Sequence, residues 1–235
     1  MQLSQKLAAA GCQHPEQAAK NVEQLAPDAA ARPQLEAALP SLLTGLRRVP
    51  DPDLALNNLE RFNQAVLDRR FLLGLLRDNP PILHLLLTIF GSSQFLSDIL
   101  IRHPQLFEWL LEPGIIRRPK RKEELQEEAR QVVSAAPTLE RKWSALRRFK
   151  VQEILRIGLQ DLLGRQTLAG ITEELSNLAD VILEIAYQIC RGEISGRHGL
   201  PQLADESGRT PECPFVILGL GKLGGRELNF SSDID

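Results

Sequence analysis

From about Leu54 to Arg191 the apolar residues recur at gaps of three and four, the spacing that lines one face of a 3.6-residue helix. Leu175, Leu178, Ile182, Ile185 and Ile189 are the cleanest run. Helix punctuation fits this pattern. Asp53 is placed to cap a helix beginning at Leu54, and Asn79-Pro80-Pro81 closes it. Gly91, His103-Pro104, Pro113-Gly114 and Pro137 then divide the remainder into about seven helices in all. One of these is long: Leu139, Trp143, Leu146 and Phe149 continue in phase through Ile154, Leu155, Leu159 and Leu162, predicting a spine that ends near Gly164. Residues 1–50 carry Pro15, Pro27, Pro33, Pro40 and Pro50, which predict only short helical pieces.

The pattern changes after Arg191. Gly192, Gly196, Gly199, Pro201, Gly208, Pro211 and Pro214 predict a loop of about twenty residues, long enough to read as a domain junction. Phe215-Val216-Ile217-Leu218 is a short continuous apolar run between Pro and Gly, which predicts a buried strand. The expected fold is therefore mostly α: a multi-helix N-terminal region followed by the first strands of a truncated α/β domain. The segments read as 1–50 (short helices), 51–191 (helical domain), 192–213 (linker loop) and 214–235 (start of the α/β domain).

Composition narrows the function classes. With 43% hydrophobic and 25% charged residues, the 235-residue chain suits a folded globular protein and not a disordered one. A formal charge of -2 offers no whole-chain attraction to nucleic acid or to an anionic membrane. Cys12, Cys190 and Cys213 are far apart and odd in number, fitting neither a disulfide framework nor a zinc pattern, so a reducing cytoplasm is the expected location. The N-terminus lacks a signal-peptide pattern. The longest apolar run, Pro81 to Phe90, falls short of the ~20 residues that span a bilayer.

The last residues, PFVILGLGKLGGRELNFSSDID, carry the candidate chemistry. Gly219, Gly221 and Gly224 form a literal GxGxxG, but a dinucleotide site needs a helix running on from the glycines and an acidic residue about 20 positions later. Here two further features intervene: the Gly224-Gly225 pair weakens such a helix, and SSDID follows at once. The other reading joins the glycines and the acidic pair into one site. On an extended strand Asp233 and Asp235 share a face while Ile234 points away, and two such carboxylates suit a divalent cation that also binds substrate phosphates. Glycines let backbone N–H groups approach phosphate oxygens, and Lys222 adds a positive charge.

This segment resembles the nucleotidyltransferase superfamily of the DNA polymerase beta type, whose pattern is a Gly-Gly or Gly-Ser turn followed by an acidic pair. Gly219-Leu220-Gly221-Lys222-Leu223-Gly224-Gly225-Arg226-Glu227-Leu228 with Asn229-Phe230-Ser231-Ser232-Asp233-Ile234-Asp235 is similar to the signature of the bifunctional glutamine synthetase adenylyltransferase and adenylyl-removing enzymes. Asn79-Pro80, Gly91-Ser92-Ser93-Gln94-Phe95-Leu96, His103-Pro104, Leu146-Arg147-Arg148-Phe149 and Ile154-Leu155-Arg156-Ile157 resemble that family's N-terminal region.

The resemblance implies an N-terminal adenylyl-removing domain that takes AMP from a tyrosine of glutamine synthetase by phosphorolysis. It implies Asp233 and Asp235 as catalytic metal ligands, and Gly221 and Lys222 in the phosphate turn. Ser232 would touch phosphate or orient a ligand. The implied cofactor is Mg²⁺ or Mn²⁺, with ATP or ADP and phosphate as substrates or products; the implied partners are glutamine synthetase and a PII-type nitrogen-signalling protein. Because family members place a third carboxylate on a later strand, the 235-residue chain is expected to be inactive by itself.

Simpler readings stand beside these. A helical partner-binding module without catalysis is the main alternative, and a nicotinamide-binding domain the other. The run Arg117, Arg118, Lys120, Arg121, Lys122 precedes Glu123 and Glu124 and reads as a solvated helix start, not a nucleic-acid patch. Arg141, Lys142, Arg147, Arg148 and Lys150 read as the polar face of the long helix, Glu227 as a surface charge, and Trp109 and Trp143 as core. His14, His84, His103 and His198 have no metal-ligand spacing.

Overall fold

The computed structural model describes residues 2–112, 114–116, 118–204 and 210–232. Among them the protein is mostly α, and its contacts divide it into two compact units, Met1–Ile115 and Ile116–Asp235. The break falls beside the Pro113-Gly114 punctuation.

The first unit holds helices α1 (Leu3–Ala9), α2 (Pro15–Leu25), α3 (Arg32–Leu46), α4 (Pro52–Ala65), α5 (Arg69–Asp78), α6 (Pro80–Ser92), α7 (Gln94–Arg102) and α8 (Leu106–Leu110), with a 3₁₀ turn at Ala29–Ala31. Proline mostly opens these helices instead of breaking them: Pro15, Pro33, Pro52 and Pro80 sit in first turns, where an N–H has no intrahelical acceptor. Pro40 departs from the expectation of short pieces, because it lies inside the 15-residue α3. Both Pro40 and Glu36, whose carbonyl loses its partner, are exposed, so water solvates the freed group. Residues 1–50 thus contribute three helices to this core.

Helix α4 packs against α2, α6 and α7, and α3 against α5 and α6. At the centre Phe62, fully buried, meets Phe90 and Phe107 with ring centroids 5.5 and 5.6 Å away. Asn58, also buried, donates to the Phe90 carbonyl at 3.1 Å, and Asn63 donates to the Leu25 carbonyl at 3.1 Å, satisfying the open end of α2. The cap of α4 is Asp51, whose carboxylate accepts from the Leu54 N–H at 2.9 Å. Asp53, expected to cap it, instead reaches back to the amides of Gln13 and His14 at 2.6 and 3.1 Å, holding the α1–α2 turn.

The second unit is built on α9 (Lys122–Ser134), α10 (Leu139–Leu162) and α11 (Leu168–His198), which pack on one another in all three pairings. The predicted spine is α10, capped by Thr138 and followed by Gly164 at φ 61°. Helix α11 runs 31 residues, passing through Gly192 and Gly196 into the segment expected to be loop. Each glycine costs a helix interior about 1 kcal/mol. Both are exposed; an Arg197–Glu193 pair spans this last stretch, and the helix ends at Gly199, φ 81°.

The expected buried strand at 215–218 is absent. Phe215, Val216, Ile217 and Leu218 form no regular element and are exposed, Val216 at 71%, and the described residues contain a single isolated antiparallel bridge, Gln202 to Glu212. A strand is stable only when a neighbour takes its N–H and C=O groups, and none of the described residues does so here.

A buried polar network crosses this unit. Arg156 and Glu153 on α10 and Glu174 on α11 are almost fully shut off from solvent. The guanidinium donates to Glu153 at 2.7 Å and to Glu174 at 2.5 Å. Lys120 donates to Glu153 and Glu128 at 2.9 and 2.5 Å, and its amide bonds to Glu174 at 2.7 Å. Burial disfavours the Arg156 charge, but Glu153 and Glu174 outweigh it, so its pKa lies above the ordinary arginine value. The basic run is therefore not simply solvated: Arg118 pairs with Glu124 at 2.7 Å and Lys122 with Asp180 at 2.6 Å.

Candidate functional site

The glycine segment folds as a tight turn, with one four-residue helical turn, α12 (Gly221–Gly224), at its centre. Gly221 has φ 57°, a left-handed conformation that glycine adopts without a Cβ penalty. A Cβ on Gly224 would overlap the Gly219 carbonyl oxygen, so this close crossing of backbone requires glycine. The Gly225 N–H bonds to the Gly221 carbonyl at 2.9 Å and the Glu227 N–H to the Lys222 carbonyl at 2.7 Å, closing the turn on itself. The helix stops there, which removes the long helix that a dinucleotide site would need.

Beyond the turn the chain docks on α11. Leu228 is buried in the second unit's core, with Leu223 and Phe230 packed against it. The Leu228 N–H donates to Ser176 Oγ at 3.4 Å. Arg226, at φ 58°, donates through Nη2 to Asn177 Oδ1, and its guanidinium lies 3.8 Å from Glu173 and 3.9 Å from Asp180. Residues 229–232 then close on themselves: Asn229 Oδ1 accepts from the Ser231 N–H at 3.2 Å and from the Ser231 and Ser232 hydroxyls at 3.0 and 2.8 Å.

Of the residues expected at the site, Gly221 and Lys222 stand together in the glycine turn, both exposed. Ser232 is engaged with Asn229, ten positions on from Lys222 along the same docked segment. Asp233 and Asp235 lie outside the described residues. Among the described residues, no group of three or more His, Cys, Asp or Glu is arranged to hold a metal ion, and no helix is long and apolar enough to cross a membrane.

Sequence reasoning missed the anchor. Glu173, Asn177 and Asp180 lie at i, i+4 and i+7, one face of α11, and that face receives Arg226. The spacing is visible in the sequence, but nothing there says which cation it meets. Glu227, read as a surface charge, is exposed.

The described residues thus form a multi-helix scaffold with a closed glycine turn anchored on α11. The family model for glutamate-ammonia ligase adenylyltransferase matches residues 83–235, and the chain belongs to that family. Similar proteins include one from Thioalkalivibrio sulfidiphilus, 31% identical over 209 residues, and one from Pseudomonas aeruginosa, 34% identical over 206. Another, from Chromobacterium violaceum, is 34% identical over 210 residues. Each is named a bifunctional glutamine synthetase adenylyltransferase/adenylyl-removing enzyme, and the alignments cover 87–88% of this chain. The chain spans about a fifth of the length of these relatives, 21–22%.

Proposed function

We propose that this chain carries the helical support and the phosphate turn of a metal-dependent nucleotidyltransferase site acting on glutamine synthetase. In this reading it is the adenylyl-removing half, in which phosphate attacks the phosphorus of an adenylyl-tyrosine and releases ADP and the free tyrosine. The observation that carries the reading is the glycine turn: it is closed by its own backbone bonds, anchored on α11, and followed within ten residues by Asp233 and Asp235. Family membership supports it, as do the names of the relatives.

The donor set suits the implied ion. Asp233 and Asp235 offer hard carboxylate oxygens, the ligands that Mg²⁺ or Mn²⁺ takes together with substrate phosphates. A bound ion would neutralise charge on the transferred phosphoryl group and orient it for in-line attack. The chain's own contributions are local. Gly221 has open space where a side chain would stand, so a phosphate oxygen can approach its backbone. The exposed Lys222 adds a positive charge beside that approach. Ser232, held by Asn229, sits next to the first carboxylate in sequence. A cytoplasmic location and a PII-type regulator belong to the same proposal.

The test is a hybrid in which this chain replaces the matched stretch of the Pseudomonas aeruginosa relative. Phosphate-dependent release of ADP from adenylylated glutamine synthetase is expected, and Asp233→Asn or Asp235→Asn should abolish it while leaving the hybrid folded. Unchanged release after both substitutions would overturn the reading. A hybrid that binds glutamine synthetase but releases no ADP would favour a helical partner-binding module.

A further inference from the structure

We propose that Arg226 is a positioning residue, and that Asn177 on α11 is its receptor. Together they fix the orientation of the glycine turn on α11. This rests on the proposed nucleotidyl-transfer reading.

Three observations point the same way. Arg226 is the one non-glycine among the described residues with positive φ, at 58°. A side chain in that region costs about 1 kcal/mol or more, so something must hold it there. Its N–H donates to the Leu223 carbonyl at 3.1 Å within the turn, and its side chain is held on α11 by a hydrogen bond to Asn177 and two flanking carboxylates, Glu173 at 3.8 Å and Asp180 at 3.9 Å. Asp180 is in turn bound to Lys122 of α9 at 2.6 Å, which fixes its carboxylate and ties the anchor to the helix bundle.

Position in the chain gives this anchor its role. Arg226 directly follows Gly225, whose N–H closes the turn on Gly221, and it lies two residues before Leu228, which is buried in the core and bonded to Ser176. Residues 226–228 therefore form a neck that joins the turn to the core, on which Leu223 of the turn also packs. Leu228 fixes the neck's depth by burial, which is non-directional. A planar guanidinium on a side-chain amide is directional and fixes its rotation. A phosphate bound at Gly221 and Lys222 must meet a cation held by carboxylates several residues downstream. A misplacement near 1 Å between such groups costs rate on the order of 100-fold.

Two variants separate positioning from folding. Asn177→Ala removes the acceptor and leaves the turn's own sequence intact, in a residue type that favours helix. Arg226→Gly removes the guanidinium while relieving the positive φ, so its unfolding temperature should not fall for backbone reasons. In the Pseudomonas aeruginosa hybrid each should lower kcat for ADP release on the order of 100-fold. Binding of adenylylated glutamine synthetase should be unchanged, and the double variant should be no slower than either single one. Arg226→Lys, which keeps the charge between Glu173 and Asp180, should recover part of the loss.

The 235-residue chain supplies a second readout. Asn177→Ala should speed hydrogen exchange of the Gly225 amide about tenfold or more. Unchanged exchange overturns the anchor. Unchanged kcat, or losses that simply multiply in the double variant, overturn its positioning role. A hybrid inactive with all native residues, alongside faster exchange in Asn177→Ala, would instead refute the nucleotidyl-transfer reading and leave the anchor standing.

Discussion

Nη2 of Arg156 lies 2.5 Å from Oε1 of Glu174, and neither side chain has more than 3% of its surface in contact with solvent. The same guanidinium holds Glu153, and Gln166 donates to the other Glu174 oxygen at 2.5 Å, so two helices and the segment before α9 share one buried polar centre. Breaking one partner of such a centre is far costlier than the pair's net contribution, because the remaining charges stay buried and unmatched. Arg156→Ala leaves two buried carboxylates without the cation they share. It should destabilise the second unit by about 3–5 kcal/mol in urea unfolding followed by circular dichroism. A loss under about 1 kcal/mol would mean that water reaches the site and solvates the carboxylates.

Asp51 and Asp53 make opposite uses of one helix start. Asp51→Ala removes the cap of α4 and should cost about 1 kcal/mol of stability, with the Leu54 amide losing protection. Asp53→Ala should leave that amide protected and expose those of Gln13 and His14 instead. Amide exchange measured by NMR distinguishes the two patterns, and the reverse assignment would contradict this geometry.

Cys12 is buried, and burial pushes its thiol from the ordinary 9.0 up to about 11, with Asp53 and Asp51 adding to the rise. The thiolate is the reactive form, so iodoacetamide at pH 8 should label the exposed Cys190 before Cys12. Because the folded thiol holds its proton more tightly than the unfolded one, the associated stability is complete below pH 9 and is lost as pH rises toward about 11. A thermal unfolding series from pH 8 to 11 reads this, and Cys12→Ser should flatten that part of the curve.

The helices were legible because their signals are local. The 3.6-residue apolar spacing located α10 and α11, and Asn79-Pro80, His103-Pro104 and Pro137 marked real boundaries. Local signals failed where a residue had two physically reasonable uses. Pro40 reads as a breaker but sits on an exposed helix face, and Gly192 reads as a loop but lies inside α11. Phe215 to Leu218 reads as a buried strand, yet pairing is a property of two segments and no described segment pairs with it. At the candidate site the glycines and Lys222 were legible as a motif, while the α11 face that anchors them was not.

By itself the sequence determined that this protein is mostly helical, where its glycine turn falls and which family it belongs to, since each is written in residues near one another along the chain. Only the tertiary structure decided that Asp53 serves the α1–α2 turn, that Arg156 is buried between two glutamates and that Arg226 is received by Asn177. These partners are separated by as many as 49 positions. A charge or amide takes whichever group packing brings within about 3 Å, and one-dimensional spacing does not encode that choice.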